Sequence, residues 1–332
     1  KHTRNIGLKA LMLATGTDAA HIKPYTIGFV LGPCLNATGR LDTAANALEL
    51  FKAQDMEVAA VLAGDLKAMN DSRKELTLKG VEEAIRQIED GGLDKDRVLV
   101  VYLPEVHESL AGIIAGRIRE KYCKPVFVLT RAEDGVKGSG RSIEAFHMYD
   151  EMTKCKELFT KYGGHKLAAG LSLPEENVDV FRRRLNENCT LTDADFEEKV
   201  MIDVPMPMAY ASIGFVREIA RLEPFGNGNP KPQFAQKNVR FVGGRVLGAN
   251  RNVGKYTVAD EGGKKYEMIY FGDIEAFDAY AAEKYGAAAV DNLYHRGTQT
   301  AAEDIVLSVV YYPDINEYRG NVSLQMVMKY YQ

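Results

Sequence analysis

The sequence predicts an α/β domain preceded by a long helical connector and followed by a β-rich barrel domain. Three observations predict it. The pattern is almost purely helical from Asp42 to Gly91, strand and helix patterns alternate from there to Asn188, and short strands rich in Val and Tyr with glycine turns fill most of the rest. The 332 residues, 46% of them hydrophobic, suffice for two compact domains and a connector. The expected divisions are residues 1–91, 92–190 and 199–332.

The elements follow in order. Thr3 to Leu13 carries helix formers, and a turn-rich stretch leads to Pro24 and the apolar segment Ile27–Val30. Leu31 to Leu41 reads as a loop punctuated by Gly32, Pro33 and Gly39, with a helix starting near Asp42. Ala47, Leu48, Leu50, Phe51, Val58, Val61 and Leu62 recur at helical spacing, as do Val81, Ala84, Ile85 and Ile88. The charge-rich Lys67–Lys79 between them suits a long solvated helix, which the Gly91-Gly92 pair ends. Val98–Leu103 and Pro125–Leu129 are buried-strand candidates flanking a helix over His107–Tyr122, so the three predict a βαβ unit. That helix has a small-residue stripe, Ala111, Gly112, Ala115 and Gly116, which permits close backbone packing. Gly138–Ile143, a helix to about Lys161, a Gly163-Gly-His165 turn, a strand at Leu167–Leu173 and a helix at Val178–Asn188 complete the domain.

Thr190–Glu198 reads as a linker. A helix over Ala209–Leu222 and the loop Pro224–Pro230 follow. Strands are expected at Val239–Val246, Tyr256–Ala259, Tyr266–Phe271 and Ile305–Tyr312, with one helix at Glu275–Tyr285. Short strands with one inserted helix suggest a small closed barrel, the OB fold first among them. Tyr280–Asp304 reads as an insertion in it.

Composition excludes several classes. The net charge of −4 by itself argues against a nucleic-acid binder, but local patches decide such contacts. Cys34, Cys123, Cys155 and Cys189 lie far apart without a CxxC pair, which argues against a zinc site or disulfide framework and for reduced, intracellular thiols. No apolar run approaches the roughly 18 residues of a membrane span. The expectation is a cytoplasmic monomer without a membrane partner. The opening Lys1–Met12 reads as the middle of a domain, as at a boundary cut within a longer protein or a proteolytic product.

Four stretches carry candidate chemistry. In the first, Asn36 and Arg40 precede a helix, and an arginine beside a helix amino terminus can grip phosphate in bidentate fashion; a capped helix with a surface arginine is the plainer alternative. Ser139-Gly140-Arg141-Ser142 places two hydroxyls and a guanidinium on a glycine turn, where backbone amides can approach an anion. Gly163-Gly164-His165 is the most informative, since a histidine leaving a two-glycine turn can donate to a phosphate; the glycines there are expected to take positive φ. His107-Glu108 is read as a helix start, because adjacent helical residues do not face the same way. Finally, Lys231–Lys265 holds eight basic residues against Asp260 and Glu261, a local charge of +6, interleaved with Phe241, Tyr256 and Tyr266. Basic grooves with aromatic platforms hold single strands on OB folds, and Arg245, Arg251, Lys255 and Tyr256 are the candidate contacts.

Taken in order, six stretches resemble the RecJ family within the DHH phosphoesterase superfamily. They are IGFVLGPCLNATGRL (27–41), HESLAGIIAGRIREKYCKPVFVLT (107–130), GSGRSIEAF (138–146), GGHKLAAG (163–170), RLEPFGNGNPKPQF (221–234) and YYPDINEYRGNVSLQM (311–326). Cys34 stands where the family usually has arginine, so one family phosphate contact lacks a counterpart, and Thr38 stands where a second alanine is common. The resemblance implies a 5′-to-3′ exonuclease acting on single-stranded DNA in recombination and repair, with helicase and single-strand-binding-protein partners. It implies the end of a DHH lobe with its connector at 1–91, a DHHA1 domain at 92–190 and an OB-like domain at 199–332. Ser139, Gly140, Arg141 and Ser142, with Gly163 and Gly164, would then bind the terminal nucleotide and its 5′ phosphate. His165 would be the catalytic residue facing the scissile phosphate, with Asn36 and Arg40 near the strand. The family chemistry is hydrolysis with Mn²⁺ or Mg²⁺ held by clustered aspartates and histidines. This sequence has no Asp-His-His triplet, so no metal ligand is assigned, and the chain alone is expected to bind single strands weakly and not to cut them. Two rivals are a small-substrate DHH phosphodiesterase or oligoribonuclease, which generally lacks the connector and barrel, and a non-catalytic single-strand-binding adaptor.

Overall fold

Asp55 starts a helix of 35 residues, Met56–Asp90, by accepting from the Glu57 and Val58 N–H groups, and Gly91 with left-handed Gly92 (φ 67°) ends it. The computed structural model describes residues 3–41, 44–226, 228–248, 251–295, 304–318 and 320–332. Two compact units divide at Glu198 and Lys199.

The first unit opens with helices α1 (Ile6–Ala14), α2 (Pro24–Thr26), α3 (Gly32–Leu41), α4 (Ala45–Lys52) and the long α5 (Met56–Asp90). The expected loop over Leu31–Leu41 is therefore a helix. Pro33 is accommodated directly after a π-helical turn, Ile27–Leu31, which interrupts the regular i→i−4 ladder where the proline lacks its N–H. Buried Leu31, Cys34 and Ala37 then give α3 a helical stripe against Leu11, Leu50 and Leu66.

A five-stranded sheet follows in the order β1-β2-β3-β5-β4. Its strands are β1 (Leu99–Tyr102), β2 (Val126–Ala132), β3 (Gly135–Arg141), β4 (Lys161–His165) and β5 (Ala168–Leu173). β1 and β2 are parallel, joined through α6 (Ala111–Tyr122), and the remaining pairs are antiparallel. One face packs Leu99, Val101, Val126 and Val128 on α6 and α5, while the other packs Val98, Val100, Phe127 and Leu129 on Phe181 of α8 (Val178–Asn188). The helix expected to reach Lys161 is only α7 (Met148–Thr153), after which a short 3-10 turn leads into the edge strand β4.

The second unit begins with α9 (Ile213–Ile219), capped by the Ser212 hydroxyl. A closed barrel in the order β10-β8-β7-β6-β9 follows. It consists of β6 (Phe234–Leu247), β7 (Val253–Ala259), β8 (Lys265–Phe271), β9 (Ile305–Tyr318) and β10 (Asn321–Tyr331). Only the β10–β8 pair is parallel. Between β8 and β9 run α10 (Ile274–Tyr285) and α11 (Ala287–Tyr294). The stretch expected as an insertion is thus partly a plug: its Ala281, Ala289 and Leu293 enter the barrel core beside Phe277. No helix among the described residues is long and apolar enough to cross a membrane.

Candidate nucleic-acid end site

Strand register assembles the site. Arg141 on β3 stands abreast of Ala168 on β5 and His165 on β4; Ser139 abreast of Gly170 and Gly163; Lys137 abreast of Ser172 and Lys161. Alternation along each strand puts these nine residues on one face and Val136, Gly138, Gly140, Ala169 and Leu171 on the other. Arg141 and His165, two strands apart, have backbones roughly 9–10 Å from each other.

α6 lies over β3 on the same face. A Cβ at Gly112 would stand 2.8 Å from Arg141 Nη2 and 3.5 Å from Ser139 Oγ, so a side chain there would push the guanidinium from its place over Ser139. The Arg141 guanidinium is steadied by donating from Nη1 to the Gly140 carbonyl at 2.7 Å. A guanidinium and a hydroxyl side by side beneath the start of α6 make a corner that suits phosphate. From this corner a cleft of about 370 Å³ runs along the sheet, walled by Glu108 and Ser109 and floored by Ser139, Gly170 and Ser172. His165 is exposed, and its Nδ1 accepts from the Leu167 N–H at 3.3 Å. The neutral ring therefore carries its proton on Nε2, which is the atom left to donate to a ligand. His107 caps the turn leading to α6 through its own ring, as its sequence position suggests.

The other predicted residues separate into three groups. Asn36 is exposed on α3, which packs beside the Glu108–Leu110 turn; the Arg40 side chain lies outside the described residues. Ser142 is not on the open face: its buried hydroxyl donates to the Phe146 carbonyl at 2.7 Å, because the residue after Arg141 points to the opposite side of the sheet. Gly140 is likewise a packing glycine, since a Cβ there would meet the Phe127 ring at 2.8 Å and Met148 Sδ at 2.4 Å. The expected glycine turns are both strand. Gly163 and Gly164 have no positive φ, and Gly164 is required by the close approach of Ala168 and Ala169, 2.6–2.8 Å from its Cβ position. Sequence reading missed Gly112, Lys161 and Ser172 as site neighbours, although the small-residue stripe of α6 was the signal for the first.

In the barrel, the aromatic platform is mostly core. Tyr256, Phe241 and Tyr266 are buried, and Tyr256 packs edge-on against Phe241 and tilted against Phe277. Tyr256 is therefore no surface contact; burial keeps its phenol well above the usual tyrosine range. The register sets Arg245 beside Lys255 on the outer face, with Lys255 paired to Glu267 at 2.9 Å and Arg251 exposed in the adjoining turn. Phe271, at the end of β8 and abreast of Val253, turns its ring outward and is 61% exposed.

The family model of the DHHA1 domain matches residues 95–190, and that of the RecJ OB domain matches residues 202–330. The chain belongs to the RecJ family. The single-stranded-DNA-specific exonuclease RecJ of Escherichia coli is 33% identical over 332 residues, covering 97% of this chain and 54% of that protein. RecJ of Bacillus subtilis is 34% identical over 265 residues, covering 79% of this chain and 34% of that protein. The crystal structure of RecJ in complex with Mg²⁺ from Thermus thermophilus superposes with a TM-score of 0.73 at 24% identity, over 99% of this chain and 46% of that one, a likeness of fold. The chain thus spans about a third to a half of the length of these relatives. The described residues of this RecJ-family chain form no group of three or more His, Cys, Asp or Glu that could hold a metal ion, so they do not fit one.

Proposed function

We propose that this chain supplies the end-gripping part of a 5′-to-3′ single-stranded-DNA exonuclease of recombination and repair. The carrying observation is the corner where Gly112 of α6 makes room for Ser139 and Arg141. In this reading the 5′ phosphate sits in that corner, and the next phosphate, the scissile one, lies toward His165 across Ala168. The Nε2 proton of His165 hydrogen-bonds that phosphate and steadies charge as its ester breaks. Asn36 and Arg40 border the strand as it leaves. On the barrel, Arg245, Arg251 and Lys255 attract the backbone, and Phe271 offers a stacking face. Mg²⁺ or Mn²⁺, as in the Thermus thermophilus RecJ crystal structures, would supply the hydrolytic water from residues other than those described, so the chain by itself grips without cutting. Helicase and single-strand-binding-protein partners, a monomeric state and a cytoplasmic location belong to the same reading.

The test is binding of 5′-phosphorylated and 5′-hydroxyl oligonucleotides by wild type and Arg141→Ala across a salt series. A charge-assisted contact is worth about 1.5–3 kcal/mol, so the variant should lose roughly 10- to 100-fold of the preference for the phosphate. Unchanged preference would place the grip elsewhere. Release of mononucleotides by the chain alone with Mn²⁺ would refute the division between gripping and cutting.

A further inference from the structure

The open face continues one row past Ser139. Lys137, Ser172 and Lys161 stand abreast there, roughly 6–7 Å further along the strands, at the far end of the same cleft. Lys137 is engaged with Glu108 at 2.7 Å. Lys154 and Lys166 are likewise each paired with a carboxylate at 2.6 Å, whereas Lys161 makes no ion pair among the described residues. Between the two polar ends the floor is Gly170 and Gly163. A Cβ at Gly163 would meet nothing within 4 Å, and one at Gly170 only the Gly138 carbonyl at 3.8 Å, so packing demands glycine at neither. Strand glycine often marks a place that a ligand approaches closely, and above both positions the space is open. Tyr162, the aromatic residue of the cleft, alternates to the other face of β4, where its ring packs on Phe159 and Tyr149. The chemistry of the far end is amine and hydroxyl.

We propose that Lys161 and Ser172, with Lys137, form a second anion subsite that takes the outer phosphates of a strand carrying a 5′ polyphosphate. This rests on the reading that places the first phosphate at Ser139 and Arg141. A pyrophosphate extension reaches about one row of the sheet, from the corner to Lys161. Glu108 opposes the subsite and is offset by Lys137.

The experiment measures binding of one single-stranded sequence bearing a 5′ hydroxyl, monophosphate or triphosphate, at fixed salt, with folding of each variant checked by circular dichroism. Wild type should hold the triphosphate end about 10-fold tighter than the monophosphate end. Lys161→Met should erase that increment while keeping the preference for monophosphate over hydroxyl, and Glu108→Gln should enlarge it. Inorganic pyrophosphate should compete with the triphosphate end in wild type and not in Lys161→Met. A triphosphate bound no better than a monophosphate, or a Lys161→Met loss equal for all three ends, overturns the subsite. Arg141→Ala separates the two readings: if it leaves the preference for monophosphate over hydroxyl unchanged, the corner fails rather than the far row.

Discussion

The sheet of the first unit and the barrel of the second use the same two-residue alternation to opposite effect. On β3, β5 and β4 one set of alternate residues stays open, so Lys137, Ser139 and Lys161 line a cleft and Arg141 and His165 share its face of the sheet. On β6, β7 and β8 closure turns one set inward, and Phe241, Tyr256, Tyr266 and Met268 become core. Basic residues stay on the outside in both units, while aromatic residues between them signal a binding platform only where the sheet leaves their face uncovered. Among the described residues of the barrel strands that leaves Phe271, the last residue of β8.

The comparison can be broken first at the barrel core. Phe277 is fully buried, touching Phe241, Tyr256, Tyr270 and Tyr331, and Phe277→Ala should cost about 3–5 kcal/mol in denaturant unfolding followed by tyrosine circular dichroism. A loss below about 1 kcal/mol would mean that the barrel is not closed on that ring.

Alkali should also separate the two regions. Burial, with Asp260 and Tyr270 as neighbours, pushes the phenols of Tyr266 and Tyr331 up to about 12, and burial raises those of Tyr256, Tyr294 and Tyr311 further. In the first unit Tyr102 is raised and Tyr122 reaches about 12. A raised pKa means that the folded state holds the proton more tightly. The stabilisation is therefore complete below the unfolded value of about 10 and drains as pH rises through about 12. Barrel stability should fall more steeply across that window than that of the first unit, as hydrogen exchange quenched after brief alkaline pulses would reveal. Equal slopes would contradict the inward placement of its tyrosines.

A finer probe of the open face is Gly112→Ala. Alanine favours the helix by up to about 1 kcal/mol, and its methyl group meets the movable end of Arg141 rather than backbone. Melting temperature should hold or rise while the preference for a 5′ phosphate drops several-fold, a split that a purely structural role for Gly112 would not give. The smallest effect is expected at Tyr256→Phe. Its hydroxyl has only a long 3.4 Å contact with Tyr294, so stability should change by less than about 1 kcal/mol and oligonucleotide binding not at all. By contrast, Phe271→Ala should weaken single-strand binding by about 1–3 kcal/mol if it stacks a base.

The sequence by itself determined the order of elements: the helical connector with its Gly91-Gly92 stop, the βαβ unit, the alternating strands of the barrel, and Ser139, Arg141 and His165 as candidates. These were legible because capping, periodicity and motif order are local properties. Tertiary structure alone decided the rest. Whether Gly163 and Gly164 turn or extend depends on β5 lying beside them, and whether Ser142 or Ser139 meets solvent depends on which face α6 leaves open. Pro33 could be housed in a helix only because a π turn precedes it and a helical core buries Cys34 and Ala37. Lys161, Ser172 and Gly112 come from three separate segments; register brings the first two to one cleft, and helix placement sets Gly112 over Arg141 and Ser139. Local pattern fixes which side chains alternate, and long-range packing fixes which of the alternating sets is covered.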